Sequence, residues 1–271
     1  MAFLKFLKIN IFVTTNFRTM KQLRLIFIIG FCTILGSLYA TAQESEAYFT
    51  REEMPDMLKF LPPPPDTLSE AFSHDIMRYF WGKEMRKDPE RSAIAIRDAD
   101  CTTDNMCKEF SVPFGLTISK ETTPEIYKLF AKSLRTADFI GTYPKRHYMR
   151  MRPFARFHEP SLAPWDDEVL SHNGSYPSGH TLRGWTAALI LMEVNPANAD
   201  TLLARGFMFS ESRVIVGAHW QSDIDAGRLA ASAAVAKMHT SPEFLEQMEK
   251  AKKEFALLTK SEKSKKSKSK K

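Results

Sequence analysis

Signals that begin helices recur along this chain, whereas the alternating apolar pattern of strands is scarce. The capping box Thr67-Leu-Ser-Glu70 predicts a helix that runs to about residue 87. Thr123-Pro124 predicts a second helix, in which apolar residues recur at helical spacing (Ile126, Leu129, Phe130 and Leu134). Further helices are predicted over 180–194, 198–216 and 220–239, and from Ser241-Pro242 to about 258. We therefore predict an all-α fold, with one compact helical domain over residues 62–258.

The N-terminal segment has the pattern of a secretory signal peptide. After Met20 come two basic residues, an apolar stretch over 25–38, and small residues ending at Ala42. We expect translation to start at Met20, cleavage after Ala42 and export to the periplasm. A membrane anchor is the alternative, although the stretch is short for a span, and no later apolar segment is long enough to add one to the mature form.

The rest of the chain divides by composition. We assign residues 1–42 to the N-terminal extension and signal, 43–61 to a loose leader, 62–258 to the domain, and 259–271 to a disordered tail rich in lysine and serine. The net charge of +6 is misleading, because the first 42 residues contribute five positive charges and the last 12 a net six. The body is therefore acidic, and the sequence does not indicate nucleic-acid binding. Contact of the tail with an anionic surface stays open.

Two cysteines remain after cleavage, Cys101 and Cys107. In an oxidising compartment such a pair favours a short-loop disulfide. Two cysteines are too few for a disulfide framework, and no neighbouring ligands indicate zinc.

Three polar clusters carry the residue types of a binding or catalytic site. They are Lys145-Arg-His-Tyr-Met-Arg-Met-Arg-Pro153, Gly174-Ser-Tyr-Pro-Ser-Gly-His-Thr181, and Ser212-Arg-Val-Ile-Val-Gly-Ala-His-Trp-Gln-Ser-Asp223. Each cluster alone has an ordinary explanation, such as a solvated helix face or a surface ion pair between residues four apart. Together they predict a single ligand site.

The ligand predicted by these residues is a tetrahedral anion. Ser178 and Gly179 fall at the start of a predicted helix, where free backbone N–H groups and the helix dipole favour negative charge. Lys145, Arg152 and Arg213 add three positive charges, and guanidinium groups suit oxyanions. The same charges disfavour a divalent metal, so a zinc site of His180, His219 and Asp223 is the weaker alternative.

The two histidines add a route for phosphoryl transfer. Asp223, four residues after His219 on a predicted helix, would hold one ring nitrogen and leave the other as a nucleophile. His180 would then protonate the departing alcohol. A serine hydrolase with Ser178 as nucleophile is the competing interpretation, but the Gly-x-Ser-x-Gly elbow and its preceding strand are missing.

The spacing of the three clusters resembles the signature of the type 2 phosphatidic acid phosphatase and vanadium haloperoxidase superfamily. That signature reads Lys-x6-Arg-Pro, then Pro-Ser-Gly-His, then Ser-Arg-x5-His-x3-Asp, and every position is filled here. The longer form of the second cluster is similar to that of the bacterial class A non-specific acid phosphatases. The similarity runs from about residue 61 to 238, so the leader and the lysine-rich tail lie outside it, and the cysteine pair is not part of the motif pattern.

The resemblance implies an all-α, secreted phosphatase that hydrolyses many small phosphomonoesters at acidic pH without metal or cofactor. It implies a phosphohistidine at His219 with Asp223 orienting it, His180 as acid and then base, and a phosphate held by Lys145, Arg152, Ser178, Gly179 and Arg213. It also implies an oligomer, often a dimer. A covalent intermediate further predicts phosphate transfer to alcohols.

Three other functions stay open at this point. A lipid phosphatase of the same superfamily would usually carry several membrane spans. A vanadate-dependent haloperoxidase uses the same pocket but is usually much longer. A protein that only binds an oxyanion would need the positive groups but not the pairing of His219 with Asp223.

Overall fold

The structure is a computed structural model that describes residues 47–268, with side chains to residue 261. The predicted signal peptide, its cleavage site and the start at Met20 lie outside these residues. Eleven α-helices make up this part of the chain: α1 (Met57–Phe60), α2 (Glu70–Met85), α3 (Pro89–Arg97), α4 (Thr103–Phe114), α5 (Pro124–Tyr148), α6 (Pro153–Phe157), α7 (Asp167–Ser171), α8 (Gly179–Val194), α9 (Ala199–Val216), α10 (Gln221–Met238) and α11 (Pro242–Lys268). No strand occurs within residues 47–268, so the all-α prediction is confirmed.

The helix boundaries follow local capping chemistry. The helix predicted from Thr67 instead begins at Glu70, because the Ser69 side chain accepts a hydrogen bond from the Phe72 N–H and caps that end. Helices α3 and α4 were not predicted, although Asp88 and Thr102 cap them in the same way. Cap signals without a long apolar repeat were too weak to identify these two helices.

The segment 43–61 differs from the loose leader that we predicted. Within its described part, Tyr48, Met54 and Met57 are buried in the main hydrophobic core. The Tyr48 N–H also donates to Thr136 Oγ1 on α5 at 2.9 Å. Residues 47–61 are therefore part of the folded domain, because their apolar side chains complete its core.

The core is built around α8, which packs against α5, α9 and α10. Small residues allow this close approach. A Cβ on Gly206 of α9 would lie 2.6 Å from Ala188 Cβ on α8, and one on Gly227 of α10 would lie 2.9 Å from Thr181 Cβ. Larger residues at these positions would push the helices apart and separate the N-terminus of α8 from α10.

The C-terminal tail and the cysteine pair also differ from prediction. Helix α11 continues to Lys268, whereas we expected disorder from residue 259, because no proline or glycine interrupts this lysine-rich stretch. Cys101 and Cys107 are free thiols instead of a disulfide. Cys107 lies inside α4 and packs in the core, while Arg183 Nη1 donates to the Cys101 carbonyl at 2.7 Å and fixes the preceding loop separately. Within residues 47–268, no helix has both the length and the apolar character to cross a membrane.

Candidate active site

The turn that follows α9 brings His219 beside Arg213. Gly217 adopts a left-handed conformation (φ +84°), which an L side chain rarely adopts, and it ends the helix. The N–H groups of Ala218 and His219 then donate to the Arg213 carbonyl at 3.1 and 3.2 Å. The Phe154 N–H donates to the Gly217 carbonyl at 3.1 Å, which draws the start of α6 onto the same turn.

His219 is held in a defined tautomer. Its Nδ1 lies 3.3 Å from Asp223 Oδ2, and this oxygen also accepts from the Trp220 N–H at 2.9 Å. A carboxylate can only accept, so Nδ1 carries the proton and Nε2 keeps its lone pair. We predicted both residues on one helix, but His219 precedes α10, and Asp223 reaches back from the first turn of that helix. The predicted pairing forms by a different local geometry.

Arg152 lies next to the Nε2 face of His219. Its Nη1 donates to His219 Nε2 and to the Ala218 carbonyl, both at 3.0 Å. Its Nε donates to the carbonyls of Leu170 and Asn173, so the guanidinium is anchored on several sides. Lys145 and Arg152 lie on different helices, because α5 ends at Tyr148 and Arg152 is the N-cap of α6.

The N-terminus of α8 forms the next wall of the site. Ser178 is its N-cap, and its hydroxyl oxygen accepts from the Thr181 N–H at 3.3 Å, which leaves the hydroxyl proton available. The Ser178 N–H donates to the Asp223 carbonyl at 3.0 Å, so α8 and α10 are joined at the site. An added Cβ on Gly179 would contact only Lys145 Cε, at 3.8 Å, so the backbone here can approach a ligand closely.

Arg213 is the most unusual side chain of the site. It is fully buried, and Nε, Nη1 and Nη2 have no hydrogen-bond partner among the described residues. Burial lowers its pKa from 12.5 to about 10, although carboxylates around it act in the opposite direction. A buried guanidinium normally carries paired acceptors. These five N–H groups are therefore donors without an acceptor among the described residues.

His180 faces a different set of groups. Its Nε2 lies 2.8 Å from the Ala99 carbonyl, which can only accept, so Nε2 carries a proton and Nδ1 is the nitrogen that can exchange one. Burial and the charge of Arg213 hold its pKa well below the usual 6.5. Burial and the charges of Arg152, Lys145 and Arg213 do the same to the pKa of His219.

The positive groups repel one another across the site. Burial, with Arg152 and Arg213 nearby, lowers the pKa of Lys145 from 10.5 to about 7, and burial lowers that of Arg152 to about 10. Lys145 Nζ donates to the Gly174 carbonyl at 3.1 Å, its one hydrogen bond among the described residues. A bound anion would relieve this repulsion and raise all of these pKa values.

Direct contacts or charge effects link all eight residues that the sequence indicated. Two cavities adjoin them: one of about 450 Å³ lined by Lys145 and Gly179, and one of about 360 Å³ lined by His180. Among the described residues, no cluster of three or more His, Cys, Asp or Glu side chains could hold a metal ion.

Sequence reasoning missed a buried ionic network behind His219. Arg150 Nη1 donates to Asp223 Oδ1 at 2.5 Å, and its Nη2 donates to Asp75 Oδ2 of α2 at 2.7 Å. Asp75 also accepts from the N–H and the hydroxyl of Ser222, at 2.8 and 2.6 Å. Arg150 lay within the first polar cluster, but nothing around Asp75 in the sequence distinguished it from a surface residue.

Comparison with known proteins identifies relatives of this chain. Residues 127–244 match the model of the PAP2 superfamily. The chain is 42% identical over 249 residues to a non-specific acid phosphatase of Providencia stuartii, which covers 89% of this chain and all of that protein. It is 36% identical over 230 residues to a non-specific acid phosphatase of Salmonella typhimurium (84% of this chain, 92% of that one), and 37% identical over 220 residues to an acid phosphatase of Zymomonas mobilis (81% and 83%). The chain belongs to the non-specific acid phosphatases of the PAP2 superfamily.

Proposed function

We propose that this acid phosphatase hydrolyses small phosphomonoesters of broad specificity through a phosphohistidine at His219, without a metal. The observation that carries the proposal is Arg213, a buried guanidinium with no acceptor in the described protein, whose charge acts on both His180 and His219. A phosphate dianion supplies the missing acceptors in the tetrahedral geometry that guanidinium groups suit.

In the first step, the lone pair of His219 Nε2 attacks phosphorus. A P–N bond forms, the P–O bond to the alcohol breaks, and the proton on His180 Nδ1 moves to the departing oxygen. Asp223 accepts from Nδ1 and stabilises the positive imidazole ring that results. Arg152, Arg213 and the N-terminus of α8 stabilise the charge on the remaining phosphate oxygens.

In the second step, neutral His180 takes a proton from water, which attacks phosphorus and breaks the P–N bond. An alcohol in place of water would give a new phosphate ester, so the same intermediate supports transfer as a side activity. The catalytic contacts proposed above address the phosphate that all phosphomonoesters share, which supports activity on many esters. The first step needs protonated His180, and its low pKa favours activity on the acidic side.

A protein that only binds an oxyanion would use the same positive groups. Binding alone would not need the contact of 3.3 Å between His219 Nδ1 and Asp223 Oδ2, which fixes the tautomer of His219. Nor would it need the contact between His219 Nε2 and Arg152. This pairing favours turnover over binding alone.

The test is release of p-nitrophenol from p-nitrophenyl phosphate at mildly acidic pH, with and without excess chelator and vanadate. We expect hydrolysis that chelator leaves unchanged and vanadate blocks. His219→Ala should abolish turnover, and no phosphorylated enzyme should be found when the reaction is quenched without acid. His147 is an exposed histidine of α5, so His147→Ala should behave like the wild type. Activity that chelator removes and zinc or magnesium restores would contradict the metal-free mechanism.

We also propose export and self-association, on the sequence pattern of residues 20–42 and the family resemblance. N-terminal sequencing of the periplasmic protein should begin at Gln43. Light scattering of the purified mature form should give the mass of a dimer. A cytoplasmic protein that retains its N-terminus, or a monomer at all concentrations, would contradict the respective part.

A further inference from the structure

We infer that the cavity beside His180 is a subsite for the leaving group, and that it selects flat, uncharged aromatic alcohols over alcohols that carry a second phosphate. This inference rests on the proposed function, in which His180 protonates the leaving oxygen. It goes further by naming the class of alcohol and the residues that select it.

The position of the subsite follows from the geometry of displacement. The attacking and leaving groups lie roughly in line on opposite faces of phosphorus. His219 is the nucleophile and is buried, whereas His180 lines the cavity of about 360 Å³. We therefore place the group that accepts a proton from His180 in this cavity, and not in the one lined by Lys145 and Gly179.

Part of the wall of this cavity is apolar and exposed. Trp165 and Val169 line the cavity with 63% and 72% of their surface accessible, and Leu170 lies beside them. Binding becomes more favourable when a ligand covers large exposed apolar side chains and removes them from water. An indole also stacks on flat rings.

The loop that carries this wall is anchored to the domain. The Leu162 N–H donates to the Val216 carbonyl at 2.9 Å, and the Ser161 N–H donates to Asp167 Oδ2 at 2.9 Å. Ala163 is buried in a small core with the end of α9. Trp165 therefore lies on a fixed backbone, so little conformational entropy of the loop is lost when a ring binds against it.

The charge of the cavity excludes a second anion. Asp100 and Asp166 both line it, and no lysine or arginine does so among the described residues. Asp166 has no hydrogen bond or ion pair from its carboxylate among those residues, whereas Asp100 accepts from the Thr102 N–H at 2.8 Å. Two carboxylates repel a phosphate on the leaving group. The volume is at the small end for ligand pockets, which suits one or two rings.

The first test compares kcat/KM for 2-naphthyl phosphate and glycerol phosphate in the wild type, Trp165→Ala and Trp165→Phe. We expect Trp165→Ala to lower the value for 2-naphthyl phosphate about ten-fold, the scale of one aromatic stacking contact, with glycerol phosphate changed less than about two-fold. Trp165→Phe should restore most of the loss. Leu68→Ala, an exposed apolar residue outside the cavity, serves as the control and should change neither.

The second test compares phenyl phosphate with 1,4-phenylene bisphosphate, which differ only in the second phosphate. Asp166→Asn should raise kcat/KM for the bisphosphate about three-fold or more at low salt, leave phenyl phosphate unchanged, and lose its effect at high salt because screening weakens the repulsion. If the Trp165 and Asp166 variants change kcat/KM equally for all substrates, or do not change it, the proposed subsite is wrong. The proposed phosphatase function would not be affected by that result. A wild type that releases phosphate from none of these esters would overturn both.

Discussion

Replacing Arg213 with methionine should stabilise the protein and abolish its response to phosphate. Arg213 is fully buried and its guanidinium has no partner among the described residues. Burial lowers its pKa from 12.5 to about 10. At about 1.4 kcal/mol per pKa unit, folding with this charge buried costs about 3 kcal/mol at pH 7, where the group is protonated in both states. Methionine has a similar length, carries no charge and removes that cost.

The assay is urea unfolding at pH 7 in phosphate-free buffer and again with inorganic phosphate. The wild type should gain about 2.7 kcal/mol when phosphate stands at one hundred times its dissociation constant. Arg213→Met should begin up to about 3 kcal/mol more stable than the wild type and should gain nothing from phosphate at that concentration.

Arg205→Met is a matched control on the same helix. Arg205 is also largely buried, but it donates to Asp98 at 2.5 and 3.2 Å and to Glu109 at 3.0 Å. Its loss leaves the fully buried Asp98 short of a partner, so the same substitution should destabilise here. The reasoning fails if Arg213→Met is less stable than the wild type in phosphate-free buffer, or if it keeps the full gain from phosphate.

Three other outcomes follow from the site. Arg150→Met should lower the free energy of unfolding by about 3 kcal/mol, since it leaves Asp75 and Asp223 buried without their cation. Urea unfolding measures this change, and a loss below about 1 kcal/mol would contradict the stabilising role of these ion pairs. His180→Ala should slow alkyl phosphates far more than p-nitrophenyl phosphate, because a good leaving group needs little protonation; equal slowing in steady-state assays would contradict its role as acid. The ligand-free enzyme should lose stability as pH falls from 7 to 5. Folding lowers the pKa values of His180 and His219, so the unfolded chain binds protons at a higher pH than the folded protein does. A urea midpoint that rises as the pH falls over this range would refute the prediction.

The predictable part of the site is the part that local sequence spacing determines. Ser178 at the start of an apolar segment indicated a helix N-terminus, and the structure has Ser178 as the N-cap of α8. The spacing of His219 and Asp223 indicated contact, which occurs because a residue in the first turn of a helix can reach back to the residue before its N-cap. The spacing of four residues therefore predicted the contact correctly, although the helix that was expected to carry both residues begins only after His219.

The unpredicted part depends on contacts between distant segments. Asp75 reaches Arg150 and Ser222 across separations of 75 and 147 residues, and no local pattern encodes such a pairing. The segment 47–61 shows the same limit. Its apolar residues have no helical or strand period, so only the surface of the folded domain determines that Tyr48 and Met57 are buried.

A structure of the protein with bound vanadate tests most directly whether the positive groups and the histidines hold one tetrahedral oxyanion. We predict vanadium bonded to His219 Nε2, with vanadate oxygens within hydrogen-bonding distance of the Arg213 guanidinium and of the N–H groups at the start of α8. Vanadate bound elsewhere, or bound near His219 with Arg213 still lacking an acceptor, would contradict the account.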